Sequence, residues 1–305
     1  MDMREWALVA FTILAQMSVG SFLILGAIHF LAKRKAGEAE ADRLSDRALL
    51  AIGPVLILGM IASFFHLENP VNAYRAISNV GSSWLSREIL FGVLFAGVGF
   101  LFAIMQWRKL ATSSVRIAVA GVAAVIGIAL VYSMARVYML PNQPTWNSIT
   151  TPLSFFTTTL LLGALATGAA YAVNYTFLKV RGEKGLNVQA DLLRDALRWI
   201  AIVSILLVGV QLVLVSASLI DQATNEAAAS IAQIAEDYGA IYILRIALVF
   251  LGAGVFALFL YRYAATGAGK EEALAWLVYG AFALVLVAEV LGRYLFYATH
   301  FQIGL

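Results

Sequence analysis

The chain has 305 residues, 62% of them hydrophobic and 13% charged, with a formal net charge of +3. Water-soluble domains carry about 25% charged residues, so a soluble fold is excluded, and the mean hydropathy of +0.86 points to lipid as the solvent. The sequence contains no cysteine, which excludes a disulfide, an iron–sulfur cluster or a thiolate zinc site within this chain.

Apolar runs near the ~20 residues needed to cross a bilayer recur along the whole length. They lie at about residues 6–32, 48–65, 89–107, 117–138, 153–178, 199–220, 241–263 and 273–296. Backbone groups in lipid must be satisfied internally, which leaves helices or closed barrels. The runs show no two-residue alternation, so helices are chosen. The predicted fold is an all-α integral membrane protein, a bundle of eight transmembrane helices forming a single polytopic domain over residues 1–305. The opening "MDMREWALVAF" lacks a basic n-region and its apolar run is too long for a cleaved signal, so it reads as the first permanent span.

The short connections orient the bundle. Lys33, Arg34, Lys35, Arg43 and Arg47 follow the first span, and Arg108, Lys109 and Arg116 follow the third. Lys179, Arg181, Lys184, Arg194 and Arg198 follow the fifth, and Arg262 and Lys270 the seventh. Fifteen of the 21 basic residues thus fall on one side. Cytoplasmic loops carry the Lys/Arg excess, so both termini are expected on the periplasmic side. After the sixth span, "DQATNEAAASIAQIAEDYGA" is acidic and reads either as a short interfacial helix or as a plain loop.

Few residues are equipped for chemistry. The histidines are His29, His66 and His300. His29 falls at the inner end of its span, His66 at an outer end and His300 in the outer tail. No two of them meet the facing geometry that a bis-histidine haem needs, so neither haem nor metal is expected. Glu88 and Glu289 lie within apolar spans, where an ionisable group is costly and a functional candidate by default. Glu289 and Arg293 are spaced for an i,i+4 pair. Gln16 and Gln211 are expected to bond neighbouring helices. Gly20, Gly26, Gly92, Gly97, Gly163 and Gly168 are expected to permit close helix packing. Trp146, in "LPNQPTWNSITTP", reads as an interfacial anchor.

His66 ends the second span and Glu88 opens the third, so the two share the outer depth, together with Arg87, Arg136 and Tyr138. An imidazole beside a carboxylate is a proton-accepting pair. At the lipid rim its natural client is apolar in body and protic at the head, as a quinol is. Arg87 and Arg136 are candidates for holding Glu88 ionised, since a nearby cation favours a carboxylate. A secondary transporter is the alternative, although the polar groups gather at the rim and no inverted repeat is visible. A purely structural membrane anchor is another.

The stretch "HLENPVNAYRAISNVGSSWLSREI", from His66 through Glu88, resembles the DmsC family, the membrane-anchor subunits of bacterial dimethyl sulfoxide reductases. The segments "EWALVAFTILAQMSVGSFLIL", "VYMLPNQPTWNSITTPLSFF" and "GRYLFYATHFQIGL" resemble it too, so the likeness covers nearly the whole chain. The resemblance implies a cofactor-free anchor in the bacterial inner membrane that binds menaquinol through His66 and Glu88 and serves anaerobic respiration. It implies two partners besides the bilayer: a four-cluster iron–sulfur subunit and a molybdopterin catalytic subunit that reduces the oxide. No nucleic-acid partner is expected.

Overall fold

The computed structural model describes residues 3–65, 77–224, 235–266 and 269–299. Among them eight helices are long and apolar enough to cross a membrane: α1 (Met3–Ala36), α2 (Glu38–Phe64), α3 (Trp84–Trp107), α4 (Ser113–Tyr138), α5 (Thr150–Val180), α6 (Leu186–Thr224), α7 (Gly239–Ala265) and α8 (Glu271–Ala298). No strand occurs among the described residues. Successive helices run antiparallel, so the start of α1 and the end of α8 meet on one face, where Trp6 stacks on Tyr294 at 5.5 Å. This is the terminal face; the opposite, basic face carries the short Lys/Arg-rich turns.

The helices extend beyond the apolar runs. α6 begins at Leu186, thirteen residues before residue 199, with a polar stretch that bonds across the basic face. Hydropathy marks the slab of hydrocarbon, whereas a helix continues wherever its ends find partners. Gln189 Nε2, for example, donates to the Glu40 backbone carbonyl at 3.0 Å. In the acidic connection after α6, residues 225–234 lie outside the described residues, and 235–237 are helical.

α1 and α5 form the centre. Their most apolar windows are 67% and 61% buried within the chain, against 11% for α3. The two cross where neither has a side chain. A Cβ on Gly20 would overlap the Thr159 carbonyl, and one on Gly163 would overlap the backbone of Gly20. Gly168 likewise has Val278 of α8 within 2.9 Å of where its Cβ would stand, whereas Gly26 and Gly97 face open space. The expected packing role therefore holds for Gly20, Gly163 and Gly168 and not for those two.

Span seven is not a uniform helix. Its middle, Phe250–Phe256, winds as a π-helix, and the local widening brings Gly252 against the Ala281 carbonyl and Val285 of α8. Such π-turns insert one residue into the α ladder and shift the register of everything beyond.

The basic face is laced together by charge. Arg116 at the start of α4 donates to Gln106 Oε1 (3.0 Å), Glu38 Oε1 (2.8 Å) and the Ala111 carbonyl (3.1 Å). Lys109 reaches Asp42 and Asp46 at 2.7 and 2.8 Å. His29 joins this rim, with Nε2 3.8 Å from Asp42, on the face opposite the Glu88 end of α3.

Candidate functional site

α3 is mostly lipid-facing, and only Ser86, Glu88, Phe95 and Gln106 are buried along it. Ser83 caps the helix, its hydroxyl accepting from the Ser86 amide at 3.3 Å. Glu88 therefore stands on the second turn, past the point where a carboxylate completes a cap. It shares its stripe with Phe95, seven residues on, and Phe95 packs edge-on against Phe22 of α1 at 5.7 Å. The side chain thus points into the bundle and does not snorkel. Glu88 is 6% exposed, and among the described residues nothing donates a hydrogen bond to its carboxylate.

The neighbourhood of Glu88 is aromatic and hydroxylic. Tyr138, at the end of α4, and Tyr297, near the end of α8, place their hydroxyls 2.9 Å apart. Both lie within electrostatic reach of Glu88. Around them close Trp146, Phe155 and Phe296, with Tyr138 edge-on to Trp146 at 5.4 Å and to Phe296 at 5.3 Å. Trp146 Nε1 donates to the Phe296 carbonyl at 2.8 Å, and its ring stacks on Phe296 at 5.2 Å. Trp146 thereby clamps the α4–α5 turn onto α8.

His66 lies outside the described residues, as do Pro70 and His300. Among the described residues neither arginine forms an ion pair with the Glu88 carboxylate. Arg87 donates to the Val80 and Gly81 carbonyls at 2.8 and 2.7 Å and lies over the Trp84 ring at 4.2 Å. One residue before Glu88, it is turned from it by about 100° around the helix and faces outward. Arg136 shares the same ring, at 5.0 Å, from the α4 side.

A second polar cluster, behind the tyrosine pair, is only partly legible in the sequence. Glu289 accepts hydrogen bonds from Thr158 of α5 and Gln211 of α6, both at 2.7 Å. Arg293 donates to Gln16 of α1 at 2.9 Å and lies 3.7 Å above the Phe155 ring. The expected i,i+4 pair between Glu289 and Arg293 is therefore replaced by contacts to three other helices. Spacing along one helix cannot reveal that better partners approach from α1, α5 and α6. The expectation that Gln16 and Gln211 bond neighbouring helices holds. Glu289 and Arg293 border a cavity of about 140 Å³ at the terminal face, bounded also by Thr158, Gln211 and Arg245.

Among the described residues no group of three or more His, Cys, Asp or Glu side chains is arranged to hold a metal ion. A buried, unbonded carboxylate beside a tyrosine pair can accept or relay a proton from a protic group that enters from the lipid rim.

A family model described as the DMSO reductase anchor subunit (DmsC) matches residues 1–299. The chain belongs to the DmsC family. It is 31% identical over 308 aligned positions to the C subunit of the anaerobic dimethyl sulfoxide reductase of Escherichia coli, with 99% of this sequence and 97% of that protein aligned. It is 29% identical over 307 positions to the YnfH subunit of an anaerobic dimethyl sulfoxide reductase of the same organism, with 99% and 97% aligned. The corresponding C subunit of Haemophilus influenzae is 30% identical over 310 positions, with 99% and 96% aligned. As a DmsC-family anchor with eight apolar helices, the protein is a multi-pass protein of the inner membrane.

Proposed function

We propose that this DmsC-family anchor oxidises menaquinol at its terminal face and passes the electrons to an iron–sulfur partner subunit. That partner in turn feeds a molybdopterin subunit that reduces dimethyl sulfoxide or a related oxide. The observation that carries the reading is the burial of Glu88 on the one inward stripe of an otherwise lipid-facing helix, without a hydrogen-bond donor among the described residues. Burial of an ionisable group in a membrane is costly, and no bond from the described residues offsets it.

Each quinol hydroxyl must lose its proton as the ring gives up its electron pair. His66, as neutral imidazole, takes the hydrogen bond and then the proton of one hydroxyl, and Glu88 takes the other. The terminal face is the periplasmic face in this reading, because the basic turns on the opposite face mark the cytoplasm. Electrons leave into a cluster of the partner docked close to the terminal-face helix ends, since this chain has no cysteine to hold an iron–sulfur cluster. Family membership supports the role of an anchor in a reductase complex, and the relatives' own names supply the oxide-reducing partner.

The test is a pair of variants, His66→Ala and Glu88→Gln, in the assembled complex, assayed with a menaquinol analogue and with a reduced dye that donates directly to the soluble partners. General acid–base groups contribute about 10²–10⁴-fold, so quinol-driven turnover should fall by about a hundredfold while dye-driven turnover persists. Normal quinol turnover in both variants would reject the site.

A further inference from the structure

Behind Glu88 the membrane interior holds more polar groups than packing requires. Tyr138, Tyr297, Arg293, Glu289, Thr158 and Gln211 are all buried, and they fall into two clusters, the tyrosine pair and the Glu289 group, with Arg293 between them. The Tyr138 and Tyr297 hydroxyls are 2.9 Å apart. Arg293 lies within electrostatic reach of both and of Glu289. Glu289 is fixed by Thr158 and Gln211, each at 2.7 Å. At the far end lies the terminal-face cavity of about 140 Å³. Two atoms of its lining residues, Arg293 Nε and Gln211 Oε1, are buried and have no hydrogen-bond partner among the described residues.

A polar cavity of this size has room for several water molecules, each needing about 10–15 Å³. Thr158, Arg245 and Glu289 give the cavity a polar lining that suits water, while the tyrosine pair sits in the aromatic cluster between it and Glu88.

We infer that Tyr138, Tyr297 and Glu289 form a proton-exit route from Glu88 to this cavity, with Glu289 the last protein group before water. The inference rests on Glu88 receiving a quinol proton, as proposed above. A proton taken up by Glu88 passes by way of the hydroxyl pair to Glu289, with water bridging the gaps on either side of the pair, and leaves into the cavity, so no electron moves along this branch. Arg293, held by Gln16 and Phe155, is a positioning residue that supplies a fixed positive charge and keeps a proton from resting midway. The charged and titratable groups facing Glu289 are Arg293 and Tyr297 on its own helix, Arg245 and Tyr242 of α7, and Tyr138 and Glu88 beyond the aromatic cluster. Arg245 lies directly against Gly292, in space that any side chain there would need.

The experiment uses the assembled complex in membrane vesicles and compares Glu289→Gln with Glu88→Gln. Glutamine preserves the shape of Glu289 and can still accept from Thr158, while the Gln211 amide can rotate to present its unpaired oxygen. We expect Glu289→Gln to lower quinol-driven kcat by about tenfold or more, the lower reach of acid–base effects. The KM for the quinol analogue should stay within about twofold, since the altered group does not touch it. The solvent deuterium isotope effect on kcat should rise, and added formate, small enough to enter the cavity, should restore much of the rate. Tyr297→Phe, which removes one oxygen from the middle of the route, should give the same fall in kcat at unchanged KM, without formate rescue, should Glu289→Gln not assemble, as dye-driven activity would reveal. Wild-type turnover in Glu289→Gln alongside a slow Glu88→Gln would overturn the route and leave the quinol site standing. A slow Glu289→Gln that formate does not rescue would make Glu289 a packing residue and likewise overturn it. Wild-type turnover in both would remove the quinol reading and the route together.

Discussion

Gly20 of α1 and Gly163 of α5 meet backbone to backbone, so that a methyl group on Gly163 would occupy the space of the Gly20 carbonyl carbon. The contact joins the two most buried helices of the bundle, and residues of the tyrosine-side and Glu289-side polar clusters flank it. Gln16 and Thr12 lie one and two turns along α1 from Gly20, and Thr158 and Phe155 lie on the corresponding turns of α5. Close approach of small residues is how membrane helices associate when lipid removes the hydrophobic driving force.

Gly163→Leu should therefore separate α1 from α5 and lose the complex. Overpacking alone costs about 1–3 kcal/mol, and here the obstacle is backbone, which cannot rotate away. Gly26→Leu is the matched control, because nothing lies within 4 Å of its added Cβ. The measurement is the thermal midpoint and yield of detergent-extracted complex. Equal yield and midpoint for the two variants would contradict the close crossing.

The eight spans, the sidedness of the basic residues and the role of Gln16 and Gln211 are readable from the sequence because each depends on one residue and its depth. Hydropathy reports depth directly. The π-turn at Phe250–Phe256 is not readable, since a register shift in an all-apolar helix changes no local pattern. Arg87 resembles a partner for Glu88 because the two are adjacent in sequence, yet adjacent helical residues diverge by about 100°. Glu289 and Arg293 show the opposite failure: their spacing allows a pair, and side chains from three other helices offer better partners. Depth is written in a sequence, whereas azimuth around a packed helix is set by neighbours distant along the chain.

Arg87→Ala should separate these two kinds of information experimentally. Arg87 bonds the Val80 and Gly81 carbonyls and covers Trp84, so its loss frees two acceptors and loosens the entry to α3. Hydrogen bonds to charged groups contribute about 1.5–3 kcal/mol at most, less where water competes. The expected result is a thermal midpoint lowered by a few degrees with the KM for a quinol analogue within about twofold of wild type. A quinol-specific collapse of turnover at unchanged stability would show that Arg87 acts on the site.

Arg116→Ala should act on the other face. Its guanidinium satisfies Gln106, Glu38 and the Ala111 carbonyl at once, and it is 8% exposed. Breaking one side of a buried, bonded charge costs about 3–5 kcal/mol, and the partial exposure of Glu38 reduces that to about 2 kcal/mol. The complex should melt earlier, and the shift should shrink in high salt, because salt screens the Arg116–Glu38 attraction at 2.8 Å that the substitution removes. Quinol affinity should not change, since Arg116 sits at the basic face, opposite the Glu88 end of α3. A salt-independent loss would point to packing instead of charge.

Sidedness is the prediction on which the direction of proton release depends. Trp6 and Tyr294 stack at 5.5 Å, which puts both ends of the bundle's chain on one face whatever the orientation in the membrane. The opposite face holds Lys33, Lys35, Lys109, Arg116 and Arg194, each engaged with an acid, for example Arg194 with Asp191 and Glu271, and Lys35 with Asp195. Pairing does not weaken the orientation signal, because topology follows Lys and Arg numbers, with acids contributing little. Both termini should therefore face the periplasm, and protons leaving the cavity beside Glu289 should appear there. A reporter that is active only in the periplasm, fused after Leu305, should be active, and the same reporter inserted at Gly182, in the turn between α5 and α6, should be silent. Activity at Gly182 with silence at Leu305 would invert the bundle, and proton release on quinol oxidation would then have to be sought on the cytoplasmic side.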